Sequence, residues 1–532
     1  MNRRPGSGAW VLLVLVLVAA AAVRLRLLEA PLDRDEGEYA YFGQLLLQGI
    51  PPYATAYHAK LPGVYGVYAL ALALFGRSVA GIHLGLLVVN AATSVLVFLV
   101  AARLFNRTVA VPAAVLFAIL SLSPRLQGLA AYAEHFLLLP ALAGALVLLR
   151  AVESRRLFAF FASGALMGLA FIIKQSGGAF VLFAVLYTLL APGPAAERNN
   201  WRRRSGPALA VVAGALVPFA AVCAGFAAAG LFDRFWFWTV VYTSHYASTT
   251  PLSVGLLLLT LTAHSILSSS YLVIVPAAVG VSALLWDPRA GAGRLFVLLL
   301  SVCALAGASL GLYFRHQYFL LLTPAGALLA GLGAESLATR LARSPALRYV
   351  LCGALIVVPL GHFVWAEREI LFETQPADLA RALAPPRNPL PESLEIGRWI
   401  RARSAPTDRI AVIGSEPQIY FYAGLRAATG YIYMYPLMEN QPYAAEMQRR
   451  MIGEIEAAQP RFVVLVNVAV SWNVGRMSDR TVFQWWGRYQ EGFERVGIAD
   501  IMDRSTRYVW GSDAEDYTPT SSVWVAVFER KA

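Results

Sequence analysis

Two adjacent acids and a lysine follow the first long apolar run of this chain. The acids are Asp35 and Glu36, and Lys60 lies 24 positions beyond Glu36. A carboxylate can take the proton from a hydroxyl group, and a cation can neutralise a phosphate leaving group. The lysine is unusual here, since only three of the 44 basic side chains are lysine. The stretch from Asp33 to Pro62 is therefore predicted to carry chemistry.

Further polar residues stand at the predicted ends of apolar runs, on the same face of the protein. They are Glu38, His58, Arg125, Glu134, His135, Lys174, Gln175, Arg315, His316, Gln317 and Tyr318. Ionisable groups are costly beside a bilayer and tend to mark functional sites. Helix capping would also account for Asp35 and Glu36, and capping, interfacial anchoring or snorkelling would account for the other residues. Acids and cations on one face indicate transfer of a group carried on phosphate, and a membrane-embedded site implies a lipid phosphate.

The elements that position these residues are predicted to be membrane helices. Of the 532 residues, 58% are hydrophobic and only 14% are charged. Apolar runs of about 17 to 25 residues suit the hydrocarbon core of a bilayer. The net charge of +12 lies mostly in short loops, so it indicates membrane topology and not a nucleic-acid partner. The three cysteines all lie in apolar runs and predict neither disulfides nor a metal site.

Eleven crossings of the membrane are predicted. The spans are residues 10–28, 80–102, 108–123, 132–150, 157–173, 175–191, 207–230, 265–286, 294–313, 317–335 and 346–365. With eleven crossings, the arginine-rich loops share the side of Arg3 and Arg4, which the positive-inside rule makes cytoplasmic. Segment 251–286 would also accommodate two crossings, or one after a surface helix, but two would break this arginine pattern. We therefore predict one crossing there, a cytoplasmic N-terminus and an extracytoplasmic loop at 29–79.

The first outer loop is predicted to contain two short helices lying on the membrane surface. Residues 36–48 form an amphipathic helix with Asp35 near its amino end, and residues 64–75 form the second. The segment between them is extended, because prolines at 51, 52 and 62 exclude a regular helix.

After residue 365 the pattern changes to that of an α/β domain. Strands are predicted at 408–414, 461–467, 494–501 and 522–530, with helices near 391–403, 440–458 and 479–490. We predict a transmembrane domain at 1–365, a proline-rich linker at 366–391 and an extracytoplasmic α/β domain at 392–532. The last domain contains an aromatic group that suits sugar or protein binding, or equally its own core and membrane-facing surface. It comprises Tyr431, Tyr433, Tyr435, Tyr443, Trp472, Trp485 and Trp486.

Several of these motifs together resemble the GT-C-fold glycosyltransferases, in particular the group of protein O-mannosyltransferases and aminoarabinose-lipid A transferases. The motifs are Asp35-Glu36-x-x-Tyr39, Lys60-x-Pro62, Glu134 at the head of a helix, Lys174 in a short Ile-Ile-Lys turn, and the late RHQYFLLLTP sequence. The resemblance covers about residues 10–335. It implies a multi-pass helical membrane enzyme that transfers a sugar, with inversion, from a polyprenyl-phosphate donor to a hydroxyl acceptor outside the cytoplasm.

The resemblance also implies roles for individual residues. Asp35, with Glu36 and Glu134, would supply the acids, and Asp35 would be the base or the group that orients the acceptor. The donor phosphate would be bound by Lys60 and Lys174, together with Arg315, His316 and Tyr318. Glu38 stands where lipid A transferases have a basic residue, and Ala59 stands where some members have a metal-binding acid. No metal site is therefore predicted, and His58 alone is a poor ligand set.

Two other kinds of function are compatible with the same charges. A transporter or flippase for a lipid or anion would line its path with them, but no clear internal repeat is present. A non-catalytic assembly factor of the cell envelope would use the outer domain to bind a partner. We predict the transferase, with membrane lipids, a lipid-linked sugar and a hydroxyl-bearing protein, glycolipid or envelope polymer as its partners.

Overall fold

The computed structural model describes residues 7–191, 201–248, 250–291, 293–384, 387–503 and 505–531. These ranges do not include Arg3, Arg4 and Arg198 of the predicted cytoplasmic loops. They also do not include Pro385 and Pro386 of the predicted linker. In the first part of the chain, the described residues form helices joined by loops and contain no strand. Its helices are α1 (Ser7–Arg26), α2 (Arg34–Leu47), α3 (Gly63–Phe75), α4 (Val79–Leu104), α5 (Arg107–Leu120), α6 (Ala133–Ser154), α7 (Leu157–Ile173), α8 (Gly178–Leu190), α9 (Trp201–Ala228), α10 (Phe232–Trp236), α11 (Thr243–Ala247), α12 (Leu252–Trp286), α13 (Gly293–Ala308), α14 (Thr323–Leu341) and α15 (Pro345–Ala366).

Every predicted span coincides with a helix, and seven helical segments of the described chain are long and apolar enough to cross a membrane. The seven comprise α1, α4, α6, most of α9, α12, α14 with the preceding turn, and α15. Helices α5, α7, α8 and α13 have 13 to 17 residues, fewer than the roughly 20 of a full crossing. The protein is thus an integral membrane protein, and the number of eleven crossings stays a prediction. Segment 251–286 forms one continuous helix, α12.

Helix α2 is not a surface helix, so that prediction is wrong. Eleven of its fourteen residues are buried, because α2 packs on α3 on one side and on a helix of the C-terminal part on the other. Gly37 permits this second contact, since a Cβ atom there would lie 2.4 Å from Cβ of Gln418. Helix α3 packs on α2, α4 and α7, with Tyr65 and Tyr68 fully buried.

The C-terminal part is built around a six-stranded sheet of order β2-β1-β3-β6-β4-β5. Its elements are α16 (Pro376–Leu383), α17 (Leu390–Arg401), β1 (Arg409–Ile413), α18 (Gln418–Ala423), β2 (Arg426–Ala427), α19 (Tyr435–Met438), α20 (Ala444–Ala458), β3 (Phe462–Asn467), α21 (Ala469–Trp472), α22 (Thr481–Tyr489), β4 (Phe493–Ile501), β5 (Thr506–Trp510) and β6 (Trp524–Arg530). Strand β1 runs parallel to β2 and β3, and the other pairings are antiparallel. Runs of β-branched residues favour these buried strands.

The predicted C-terminal elements are present, and the structure adds others. The four predicted strands are β1, β3, β4 and β6, and the three predicted helices are α17, α20 and α22. Strands β2 and β5 and the short helices α18, α19 and α21 were not predicted. Helix α16 lies inside the predicted linker. The limits of the three predicted domains stay predictions.

The two parts of the chain meet along the first outer loop. The backbone N–H of Leu32 donates to the hydroxyl of Tyr422 at 2.7 Å, and the N–H of Ala427 donates to the hydroxyl of Tyr41 at 2.8 Å. Farther along, the N–H of Tyr57 donates to the carbonyl of Gly430 at 2.8 Å. The loop 29–62 is therefore held between the helical bundle and the parallel edge of the sheet.

Candidate active site

The amino end of α2 is fixed by a capping box. Asp33 is the N-cap, and its carboxylate accepts a hydrogen bond from the N–H of Asp35 at 2.9 Å. Glu36 completes the box by accepting from the N–H of Asp33 at 2.9 Å. Asp33 and Glu36 thus satisfy the helix terminus, which leaves the side chain of Asp35 available for other contacts.

Lys60 lies between two carboxylates of α2. Its Nζ atom is 2.9 Å from Oδ1 of Asp35 and 2.8 Å from Oε2 of Glu38. The ammonium also lies over the ring of Tyr39, 4.4 Å from its centroid. Because the extended segment before Lys60 cannot form a helix, other groups hold it, including Tyr53, whose hydroxyl donates to the carbonyl of Lys60 at 2.6 Å. The structure therefore brings the predicted base and the predicted phosphate ligand into direct contact.

Burial and neighbouring charges set the ionisation of this cluster. Burial would raise the pKa of Asp35, but the charges of Lys60 and Arg315 and the hydrogen bond from Lys60 outweigh it and hold that pKa below its usual range. Burial raises the pKa of Glu38 to about 7 against the opposing effect of Lys60. Burial, followed by the charge of Lys60, lowers the pKa of His58 well below its usual value. Asp35 is the carboxylate that stays ionised.

Glu38 is fully buried, and three groups lie close to its carboxylate. Besides Lys60, the hydroxyl of Tyr65 donates to its Oε1 atom at 2.7 Å, and Nδ1 of His58 lies 3.2 Å from the same atom. Glu38, the residue that departs from the lipid A transferase pattern, thus holds Lys60 in place.

Lys174 comes from the short connection between α7 and α8. Its ammonium forms an ion pair with Glu134, which is fully buried in the first turn of α6. It also lies over the ring of Tyr318, 4.3 Å from the centroid. Lys174 therefore points into the protein instead of extending toward the membrane surface. Glu134 holds Lys174 in place but does not line the cavity described below. His135 turns away to contact Oδ1 of Asn90 at 3.1 Å.

These groups face a cavity of about 160 Å³ between the bundle and the C-terminal part. Its lining residues are Asp35, His58, Ala59, Lys60, Lys174, Gln175, Tyr242, Thr243, Arg315, Tyr318, Tyr433, Tyr435, Pro436 and Glu439. Two carboxylates, those of Asp35 and Glu439, thus share a small cavity with three cations from separate parts of the chain. Such an arrangement can deprotonate a hydroxyl and stabilise a phosphate at the same time.

Two predicted site residues lie elsewhere. Glu36 and His316 line a second cavity of about 240 Å³, and Arg315 lines both cavities. Oε1 of Glu36 accepts from the N–H of Ala131 at 2.5 Å, and Nε2 of His316 lies 3.2 Å from the hydroxyl of Ser265. Neither residue is brought together with Asp35 and Lys60, and Glu36 serves the helix cap instead.

The C-terminal part contributes four cavity residues that the sequence did not assign to the site. They are Tyr433, Tyr435, Pro436 and Glu439. The hydroxyl of Tyr433 donates to Oδ1 of Asp35 at 3.2 Å, and Oε2 of Glu439 accepts from the hydroxyl of Tyr242 at 2.6 Å. The tyrosine-rich sequence was the available signal, but nothing in it indicated that it meets the first outer loop.

Comparisons with known proteins identify the fold. Residues 59–224 match the family model described as dolichyl-phosphate-mannose-protein mannosyltransferase. The structure of ArnT from Cupriavidus metallidurans in the apo state matches over 98% of this chain and 98% of its own, with a TM-score of 0.59 and 15% identity. Its complex with undecaprenyl phosphate matches over 87% of this chain and 94% of its own (TM-score 0.56, 17% identity). The chain has the GT-C fold.

A more distant structure supports the same fold. The archaeal oligosaccharyltransferase AglB from Archaeoglobus fulgidus, in complex with an inhibitory peptide and a dolichol-phosphate, matches over 96% of this chain and 75% of its own. The TM-score is 0.51 and the identity 13%. No curated protein matches this chain in sequence. The GT-C fold and the C-terminal sheet confirm the predicted fold class, apart from the number of crossings.

Within this GT-C fold, an apolar groove adjoins the charged cavity. The groove has a volume of about 210 Å³ and shares Lys174, Gln175, Thr243 and Tyr318 with that cavity. Its remaining lining residues are Ser176, Gly307, Leu310, Gly311 and Tyr313. A ligand with a charged head and an apolar chain would fit across the two spaces.

The donor set at the centre of the site does not favour a metal ion. No group of three or more His, Cys, Asp or Glu side chains suited to a metal occurs among the residues that the structure describes. The carboxylates of Asp35 and Glu38 have the Lys60 ammonium between them. A cation is thus already supplied there by the chain itself.

Proposed function

We propose that this protein transfers a sugar from a polyprenyl-phosphate donor to a hydroxyl acceptor, with inversion at the anomeric carbon. The observation that carries the proposal is the contact between Asp35 and Lys60 at the edge of a cavity that Lys174 and Arg315 also line. A base for the acceptor and cations for the leaving group are the two requirements of this reaction.

The donor phosphate would occupy the side of the cavity near Lys174. Lys174 is held by Glu134 and Tyr318, so its ammonium is positioned in advance of binding. Arg315 and Lys60 add positive charge around the same space. The polyprenyl chain would leave through the adjoining apolar groove, whose polar end begins at Lys174. The relatives bound to undecaprenyl phosphate and dolichol-phosphate support a donor of this class.

The acceptor hydroxyl would approach Asp35. As its oxygen attacks the anomeric carbon, Asp35 takes the hydroxyl proton. The bond from that carbon to the phosphate oxygen breaks, and its electron pair stays on the departing polyprenyl phosphate, where the cations stabilise the added charge. Attack opposite the leaving group inverts the anomeric configuration.

Glu439 would restrict the sugar. Its carboxylate lines the cavity beside Tyr435 and Tyr242, so a sugar bearing a carboxylate would meet like charge there. The donor is therefore proposed to be a neutral or amino sugar, and the acceptor a protein, glycolipid or envelope polymer. The site would face the outside of the plasma or inner membrane, with the N-terminus in the cytoplasm.

Incubation of the purified protein with labelled polyprenyl-phosphate sugars and a membrane extract tests this proposal. The expected result is a labelled hydroxyl-linked product together with free polyprenyl phosphate, at a rate that depends on Asp35. Movement of the intact labelled lipid between leaflets of a vesicle, with no glycosylated product, would show a flippase instead.

A further inference from the structure

Two groups bind the same oxygen of Asp35. Nζ of Lys60 lies 2.9 Å from Oδ1, and the hydroxyl of Tyr433 donates to Oδ1 at 3.2 Å. Both contacts fall on Oδ1, while Asp35 lines the charged cavity and keeps a fifth of its side chain exposed. The carboxylate is thus held along one edge, and its other oxygen is available to a ligand.

Tyr433 is itself held firmly in place. Its side chain is buried, and its ring packs against His58 and Tyr435 at centroid distances of 4.9 and 5.4 Å. The next residue, Met434, donates its backbone N–H to the hydroxyl of Ser415 at 2.9 Å. Ser415 lies just beyond the end of β1, so the position of the Tyr433 hydroxyl is set by the sheet of the C-terminal part.

From this geometry we propose that Tyr433 is a positioning residue for the transfer reaction, supplied by the C-terminal part of the chain. By holding Oδ1 together with Lys60, it turns Oδ2 of Asp35 toward the acceptor hydroxyl whose proton Oδ2 takes. The inference rests on the proposed function and deepens it, because it makes the C-terminal sheet part of the catalytic apparatus.

The physical reason is that the hydrogen bond from Tyr433 fixes the orientation of the Asp35 carboxylate. With Lys60 alone, the carboxylate of Asp35 could still rotate about its terminal bond and present either oxygen to the ammonium. A second donor on the same oxygen restricts that rotation, and the reacting oxygen is then in place before the acceptor arrives. Loss of the Tyr433 hydroxyl affects the reaction step more than the binding of the donor lipid, because that hydroxyl donates to Asp35 and the cations proposed to bind the phosphate are left unchanged.

The substitution Tyr433→Phe in the full-length protein tests the inference, since it removes one oxygen and keeps the ring. A hydrogen bond to a charged group makes a difference of about tenfold or more, so we expect kcat to fall about tenfold with the donor KM within about twofold of the wild type. Tyr431→Phe is the matched control, because Tyr431 lies in the same loop but packs on Tyr57 and Trp238.

Each result has a distinct meaning. A kcat of Tyr433→Phe within twofold of the wild type would overturn the inference. So would equal losses in the two variants, or a matching drop in melting temperature, since both would indicate loop packing alone. Absence of sugar transfer by the wild-type protein would overturn the proposed function, and this inference with it.

Discussion

The guanidinium of Arg34 donates two hydrogen bonds to one oxygen of Glu416, at 2.6 and 3.0 Å. Glu416 is fully buried just beyond β1, and Arg34 begins α2, one position before Asp35. Burial alone would lower the pKa of Arg34, but the charge of Glu416 reverses this effect and raises it. The pair therefore joins the amino end of α2, next to Asp35, to the C-terminal sheet.

Replacing Arg34 by methionine is expected to destabilise the protein strongly. The change leaves Glu416 buried without its cation, and breaking a buried pair typically costs about 3–5 kcal/mol. The free energy of unfolding in detergent, or the melting temperature, measures the effect. The control is Arg398→Met, because the pair of Arg398 with Glu395 is exposed and such pairs contribute about 1 kcal/mol or less. Equal losses in the two variants would contradict the prediction.

Asp35→Asn is expected to abolish sugar transfer while leaving expression and donor binding nearly unchanged. The amide keeps the size of the side chain but cannot take a proton from the acceptor. Product formation and binding of the labelled donor measure the two effects separately. Asp33→Asn is the matched control, because it makes the same change from carboxylate to amide two positions away and asparagine also caps helices. Full activity of Asp35→Asn would remove Asp35 from the mechanism.

Lys174→Ala is expected to raise the donor KM by about tenfold or more, since a charge-assisted contact to phosphate is worth about 1.5–3 kcal/mol. Titration with the donor measures this rise in KM. Lys531→Ala is the control, because the exposed Lys531 ammonium donates to the backbone carbonyl of Glu491, near the end of the sheet. An unchanged donor titration in Lys174→Ala would exclude Lys174 as a phosphate ligand.

The donor KM is expected to rise as the pH increases through about 7. Burial raises the pKa of Glu38 to about 7, so below this pH Glu38 is neutral and above it a negative charge is added beside Lys60. That charge weakens the attraction of the site for phosphate. Asp35, whose pKa is held low, stays ionised throughout. Glu38→Gln is expected to have the low-pH KM at all pH values, and a persistent step near pH 7 in this variant would contradict the assignment.

Removal of divalent metal ions is expected to leave the transfer activity unchanged. The Lys60 ammonium neutralises Asp35 and Glu38 in the position that a metal ion would otherwise take. Activity before and after exhaustive treatment with a chelator tests this expectation. Loss of activity that Mg²⁺ or Mn²⁺ restores would show that a metal ion is required.

The sequence was sufficient to predict the helical elements, because a long apolar run has few alternatives to an α-helix in a membrane. It was also sufficient for the four buried strands. Strand β2 has only two residues, too few to give an alternating pattern. Helix α2 was predicted at the surface because its amphipathic sequence does not reveal that a second layer, α18, covers its other face.

Only the part of the candidate site that the helical bundle and its loops supply was predictable from the sequence. Asp35 and Lys60 could be paired in principle, since the prolines between them bring an extended arm back to the start of α2. Capping of α2 was the alternative explanation of Glu36, and the capping-box spacing of Asp33 and Glu36 was readable in the sequence. Tyr433 could not be assigned, because its contact with Asp35 depends on how two separately folded parts dock.

The contact between Tyr433 and Asp35 spans 398 positions of the chain. During synthesis, Asp35 leaves the ribosome long before Tyr433, which cannot hold Asp35 until it has itself been made. A nascent or truncated chain would therefore have the membrane helices and both lysines but an open cavity and a loosely held base. Order of synthesis would thus delay activity until the whole polypeptide has been made and docked.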